Sequence, residues 1–261
     1  MVPLPRELGK HTPYFELVDA QSMPGCPVCR LAYKQTDRYL DSILYEAVLD
    51  PDVRTKLKNS LGFCREHTEM LHGKPGRALG TALIYRDIIR SVAEALVGAR
   101  HRSSGAPSLL SRWLPGSREE LPVVQKLRAS EPCPACKVAE KAEARVVQLL
   151  VVHLGEDKLY DAYAQGEGLC LEHLVRAIAL TPDQETLDRL LQPQSKRYLR
   201  MLTDLDEFIR KRDHRFRGEK YGEEGDVWLR AMNAIVGGAG MGLSAESGGR
   251  HQDTGLRDKK R

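Results

Sequence analysis

Every cysteine of the chain, and two of its eight histidines, fall into one motif written twice. The first copy reads Cys26-Pro27-Val28-Cys29 and then Gly62-Phe63-Cys64-Arg65-Glu66-His67. The second reads Cys133-Pro134-Ala135-Cys136 and then Gly168-Leu169-Cys170-Leu171-Glu172-His173. The spacers are nearly equal, with 34 residues between Cys29 and Cys64 and 33 between Cys136 and Cys170, so one single-residue deletion relates them. Residues three apart at a helix start share a face, so each CxxC and each CxxH is a two-toothed clamp for an ion. Free N–H groups and the positive end of the helix dipole favour thiolate there, the form that a metal takes. Three thiolates and one imidazole suit tetrahedral zinc, and two full sets imply two Zn2+ per chain: Cys26, Cys29, Cys64 and His67 in one, Cys133, Cys136, Cys170 and His173 in the other. An iron–sulfur cluster, which usually takes four cysteines, and a dithiol redox pair are the alternatives. A filled shell leaves no place for a substrate, so the set reads as structural and no catalytic residue is assigned.

The remaining histidines, His11, His72, His101, His153, His214 and His251, have no matched partner. A glutaredoxin-like use of CPVC or CPAC needs a preceding strand, which the pattern does not offer. There is no Gly-rich phosphate loop, HExxH or nucleophile elbow.

The composition is that of a globular protein, with 41% hydrophobic and 29% charged residues. Few aromatics leave a mainly aliphatic core. The net charge of +4 does not by itself predict a nucleic-acid partner, although Arg and Lys at the surface keep one open. The first twenty residues hold no apolar stretch of secretory type, and the longest apolar run, Leu149 to Val152, is far too short to span a bilayer. Six cysteines without a leader point to a reducing, cytoplasmic setting and to no membrane association.

The elements that must position the ligands read as helices. After Cys29, apolar Leu40, Ile43, Leu44, Ala47 and Val48 recur at helical spacing, and Asp50-Pro51 caps a shorter second helix. A third helix starts near Cys64 and a fourth covers Ala78 to Val97. A helix from Arg30 to Val48 travels about 28 Å, and the return segment recovers a similar distance, so the two clamps of one repeat are expected to meet. The second copy keeps the same order, its β-branched Val146, Val147, Val151 and Val152 being read as helix by analogy with the first. Thr181-Pro182-Asp183-Gln184 resembles a capping box, Pro193 is expected to break the helix that starts there, and Tyr198, Leu202, Leu205 and Ile209 mark a long closing helix. The charged run Asp206 to Phe216, with Glu223, Asp226 and Trp228 nearby, reads as a solvated helix face rather than a site.

The tandem CPVC…GFCREH and CPAC…GLCLEH motifs, closed by DEFIRKRDHRF and YGEEGDVWLRAM, resemble an uncharacterised bacterial family known as a domain of unknown function, over residues 14 to 236. The resemblance implies a helical fold and metal binding. The expectation is an all-α chain of two pseudo-symmetric repeats, each organised around its own Cys3His site. The first occupies 14–100 and the second, with the C-terminal helices, 119–236. Between them lies a linker at 101–118, and a glycine-rich disordered tail occupies 237–261. The expected role is a metal-binding module that meets a protein partner.

Overall fold

The computed structural model describes residues 12–72, 74–99, 121–216 and 218–238. Among them are eleven α-helices and no strand, so the chain is all-α. A short α1 (Thr12–Gln21), which the periodicity did not reveal, comes first. The first motif copy then runs through α2 (Pro27–Tyr45), α3 (Pro51–Asn59), α4 (Arg65–His72) and α5 (Ala78–Val97). After α6 (Pro122–Lys126), the second copy runs through α7 (Pro134–His153), α8 (Asp157–Gln165), α9 (Leu171–Leu180) and α10 (Gln184–Arg212), and α11 (Val227–Val236) closes the chain. Corresponding helices match in length, with 19 and 20 residues in α2 and α7 and 9 in both α3 and α8. No helix among the described residues is long and apolar enough to cross a membrane.

Local chemistry explains the boundaries. The Asp50 carboxylate accepts the N–H groups of Asp52 and Val53 at 2.9 Å each, and Pro51 begins α3 where its missing N–H costs nothing. The valine-rich stretch of α7 is helical because Val147, Leu150, Val151 and Leu154 fall on one stripe and are buried together. The cap of α10 is Asp183, whose carboxylate accepts the Thr186 N–H at 2.8 Å, while Thr181 ends α9.

Pro193 does not break α10, which continues through it. An interior proline costs about 3 kcal/mol unless the surroundings compensate. Here Pro193 is buried, the Tyr163 hydroxyl donates to the Leu190 carbonyl at 3.0 Å in the preceding turn, and the next residue, Gln194, is locked by its amide to both the N–H and the carbonyl of Leu169. Tertiary contacts hold the turn that the proline weakens.

The chain divides into two compact units, Met1–Lys34 with Ala142–Arg261, and Gln35–Lys141. Their boundaries fall inside α2 and α7 rather than at 101–118, a segment that lies outside the described residues. The first unit packs Tyr14, Leu17, Leu150, Leu154, Leu159 and Leu190 into its core. The second packs Leu40, Ile43, Leu44, Leu57, Ile84 and Ile88.

The charged run 206–216 forms the end of α10 and a turn of 3-10 helix. Arg210 pairs with Glu207 and Glu219, and Lys211 reaches Glu224 at 2.5 Å. Lys211, helped by the Gly222 N–H, holds the Glu224 carboxyl at about 2. This run is an ion-pair network that ties the helix end to the segment before α11. Because Leu150 is fully buried in the first core, Leu150→Ala should lower stability by about 2–5 kcal/mol in urea unfolding. A loss below about 1 kcal/mol would mean that this core is not closely packed there.

Candidate metal centres

Each of the four half-motifs opens a helix in the same way. The first cysteine stands immediately before the helix, and its carbonyl accepts the N–H four residues on: Arg30 from Cys26, Thr68 from Cys64, Lys137 from Cys133 and Leu174 from Cys170. The second ligand is the third helical residue, which places both side chains beside the unpaired N–H groups of the first turn. Gly62 and Gly168 set up the CxxH turns with φ of +91° and +79°. Side chains lie directly against both glycines, the Tyr85 ring at Gly62 and the ends of Gln194 and Arg197 at Gly168, so a Cβ would be doubly unwelcome.

The eight residues gather into two clusters, and the pairing is crossed. Cys26 and Cys29 of the first copy meet Cys170 and His173 of the second, while Cys64 and His67 of the first copy meet Cys133 and Cys136 of the second. The expectation that each repeat closes its own site is therefore corrected. The reach argument supposed that the chain doubles back after α2. Instead α2 begins in one unit and ends in the other, and the nine residues of α3, rising about 14 Å, do not undo the roughly 28 Å travelled along α2. Helix α7 makes the same passage in return. Each cluster lies wholly within one unit.

In each cluster the four ligand atoms lie within 4.8 Å of one another. In the first, the sulfurs of Cys29 and Cys170 are 3.8 Å apart, and His173 Nδ1 is 3.1, 3.4 and 3.6 Å from Cys170, Cys29 and Cys26. In the second, Cys64 and Cys136 are 3.6 Å apart, and His67 Nδ1 is 3.0, 3.5 and 3.8 Å from Cys64, Cys136 and Cys133. A tetrahedral zinc with ordinary bond lengths places its sulfurs about 3.8 Å apart and sulfur and nitrogen about 3.6 Å apart, so both sets fit one ion. All six cysteines are free thiols, and both histidines are buried.

The electrostatics of these clusters are those of crowded acids. Burial opposes ionisation of Cys133, but the His67 ring and backbone N–H groups outweigh it and hold the thiol at about 6. Burial and the neighbouring Cys64 and Cys133 push Cys136 up to about 12, and His67 rises to about 9, chiefly through its hydrogen bond to Cys133. In the first cluster Cys170 is driven down by its bonds to Cys26 and Cys29, and Cys29 is driven up by Cys170, Cys26 and burial. Burial works against a charge on His173, yet Cys170 and Cys26 raise it to about 11. Without a cation, the ligands share protons as a thiolate–imidazolium set, and a divalent ion would displace those protons.

Two features escaped the sequence reading. Glu143 of α7 presents its carboxylate to His173 Nε2 at 3.6 Å, a charge contact longer than a hydrogen bond, and is itself held by Arg176 at 2.9 Å. His173 first and then Arg176 keep the Glu143 carboxyl below the ordinary range. The corresponding residue of the first copy is Thr36, buried and uncharged. The chain also turns at Gly237 (φ +86°) so closely that a Cβ there would stand 3.1 Å from the Cys29 sulfur and 3.3 Å from that of Cys170. Gly237 thus covers the first cluster and is not the start of a detached tail; residues 239–261 lie outside the described residues. A carboxylate behind a ligating imidazole strengthens it, so Glu143→Gln should weaken the ion of the first cluster by about ten-fold in chelator competition and leave that of the second unchanged. Equal weakening of both, or of neither, would contradict this assignment.

No solved structure matches this chain. It is 23% identical over 214 residues to an uncharacterized 23.9 kDa protein in the xynA 3' region of Caldicellulosiruptor sp. (strain Rt8B.4), covering 81% of this chain and 95% of that protein. The profile of a family of unknown function, DUF6062, matches residues 13–241, which include all eight cluster residues and both motif copies. The chain belongs to the DUF6062 family.

Proposed function

We propose that each cluster binds one zinc ion through all four of its side chains, and that the two ions hold together helix ends from the two motif copies of a tandem duplication. The observation that carries this reading is the sorting of all six cysteines and two buried histidines into two closed Cys3His sets at tetrahedral spacing. Four protein ligands per ion favour a structural over a catalytic role. An iron–sulfur cluster interposes several atoms between its thiolates and spreads them beyond the 4.8 Å span seen in each set, so a single ion is the better occupant.

The energetic role is large. Structural zinc supplies about 10–16 kcal/mol of apparent binding energy in small sites, against the roughly 5–15 kcal/mol that holds a whole domain. Each ion also closes a long loop, from Cys29 to Cys170 in one cluster and from His67 to Cys133 in the other. The entropic cost of such closure grows only logarithmically with length. The reading is of a cytoplasmic, non-enzymatic scaffold that meets a protein partner. Exposed apolar side chains on α9 and α11, among them Val175, Trp228, Met232 and Ile235, support that last part.

Elemental analysis of anaerobically purified protein should find two zinc ions per chain. Cobalt in their place should give the absorption of a tetrahedral, thiolate-rich site, and azide should leave it unchanged at concentrations that do not strip the metal. One ion per chain, or an azide-induced change with cobalt retained, would overturn the closed-shell reading.

A further inference from the structure

The two motif copies differ on the outer side of one pair of corresponding helices. In α4 of the first copy, the residues one, five and eight places after Cys64 are Arg65, Glu69 and His72, all exposed, with Arg65 and Glu69 ion-paired at 3.1 Å. Counted the same way from Cys170, α9 of the second copy holds Leu171, Val175 and Ile178. These positions recur at i, i+4 and i+7 and form one stripe of a helix. In α4 the stripe meets water with charged and polar side chains; in α9 it is wholly apolar and still 37–57% exposed. The opposite side of α9 is already used, since His173, Leu174 and Ala177 are buried. A helix apolar on both sides is one that is covered on both.

Helix α11 packs against α9 and repeats the arrangement. Its Val227 is buried, while Trp228, Met232, Ile235 and Val236 form a second stripe, 46–75% exposed. With about 200 Å² for a bare side chain of this size, the seven residues leave roughly 700 Å² of apolar surface in water. A monomeric protein rarely leaves more than a few hundred Å² together, and each partner in a stable interface gives about 800 Å².

The charges on these helices bear on what covers the stripes. Arg176 of α9 is held by Glu143 at 2.9 Å and by Glu172, and Arg230 of α11 is held by Asp226 at 2.9 Å and by Asp204. Their cations are therefore paired within the chain. Nucleic acid calls for free cations, and an acidic peptide calls for the same. An isologous contact instead needs a patch whose centre can face a copy of itself, as apolar side chains can and like charges cannot. Two helices of 10 residues each, in contact and each with an apolar stripe turned outward, meet that need by packing on a second such pair. We infer that the chain forms a two-fold symmetric homodimer in which α9 and α11 of one copy pack on α9 and α11 of the other. This rests on the part of the proposed function in which the chain meets a protein partner, and it names that partner as a second copy.

The test is sedimentation velocity on the full chain as purified, from about 1 to about 100 μM, with zinc content and helicity measured on the same samples. The parent should dimerise with a Kd below about 10 μM. Val175→Glu, which installs the residue that the first copy carries at the matched place, and Met232→Glu should each weaken the dimer at least about ten-fold. Both should keep the parent's helicity, because these side chains face water in the single chain. Leu79→Glu, at a still more exposed position on α5 in the other unit, should leave the dimer unchanged. A monomer at every concentration would leave the face to some other protein and overturn the inference. A dimer that either the α9 or the α11 variant keeps at full strength, or that Leu79→Glu also breaks, would overturn it too. The zinc content separates this from the metal reading: a monomer with two zinc ions contradicts only the dimer, and a dimer without metal contradicts only the metal.

Discussion

Three sulfurs and an imidazole nitrogen within 4.8 Å of one another set the terms for each unit of this chain. Ionised together in a protein interior they repel, and left protonated they forgo the hydrogen bonds of the helix N-termini that point at them. The opposed shifts of Cys133 and Cys136, and of Cys170 and Cys29, express that conflict. A divalent cation would resolve it by taking the place of the shared protons, which would make metal binding and folding one equilibrium. Other features of the sites serve that need: helix starts at all four half-motifs, the two glycines at the CxxH turns, the carboxylate of Glu143 behind His173, and the approach of Gly237 to the first cluster.

The crossed pairing gives the two motif copies a mutual dependence. A CxxC from one copy completes its shell with a CxxH from the other, and the reverse holds at the second cluster, the reciprocity expected of two identical chains that share their sites. Helices α2 and α7 carry the consequence. Each starts with the ligands of one cluster and runs on into the other unit, and α7 supplies Cys136 to one cluster and Glu143 to the other. Two bound ions would then cross-link the two motif copies.

Much of this was legible in the residues. The membership of the two Cys3His clusters comes from two CxxC/CxxH patterns that use every cysteine. The helix over Ala78–Val97 is readable from its apolar period, and the Asp50 cap from its position before Pro51. The pairing was not, because Cys64/His67 and Cys170/His173 are chemically equivalent clamps, and nearly equal spacers cannot say which one a given CxxC will find. Pro193 misled because its local cost is real, and the compensation from Tyr163 and Gln194 exists only once distant segments are packed. Glu143 and Gly237 carried no local signal, since each matters through a neighbour remote in sequence.

The central claim is that each ion is shared between the two motif copies, and paired serine substitutions separate it from the alternative by counting metal. Cys64→Ser with Cys133→Ser strikes a single cluster and should leave about one ion per chain, whereas Cys64→Ser with Cys26→Ser strikes both and should leave about none. The opposite result, no ion in the first pair and one in the second, would mean that each repeat closes its own site and would contradict the account.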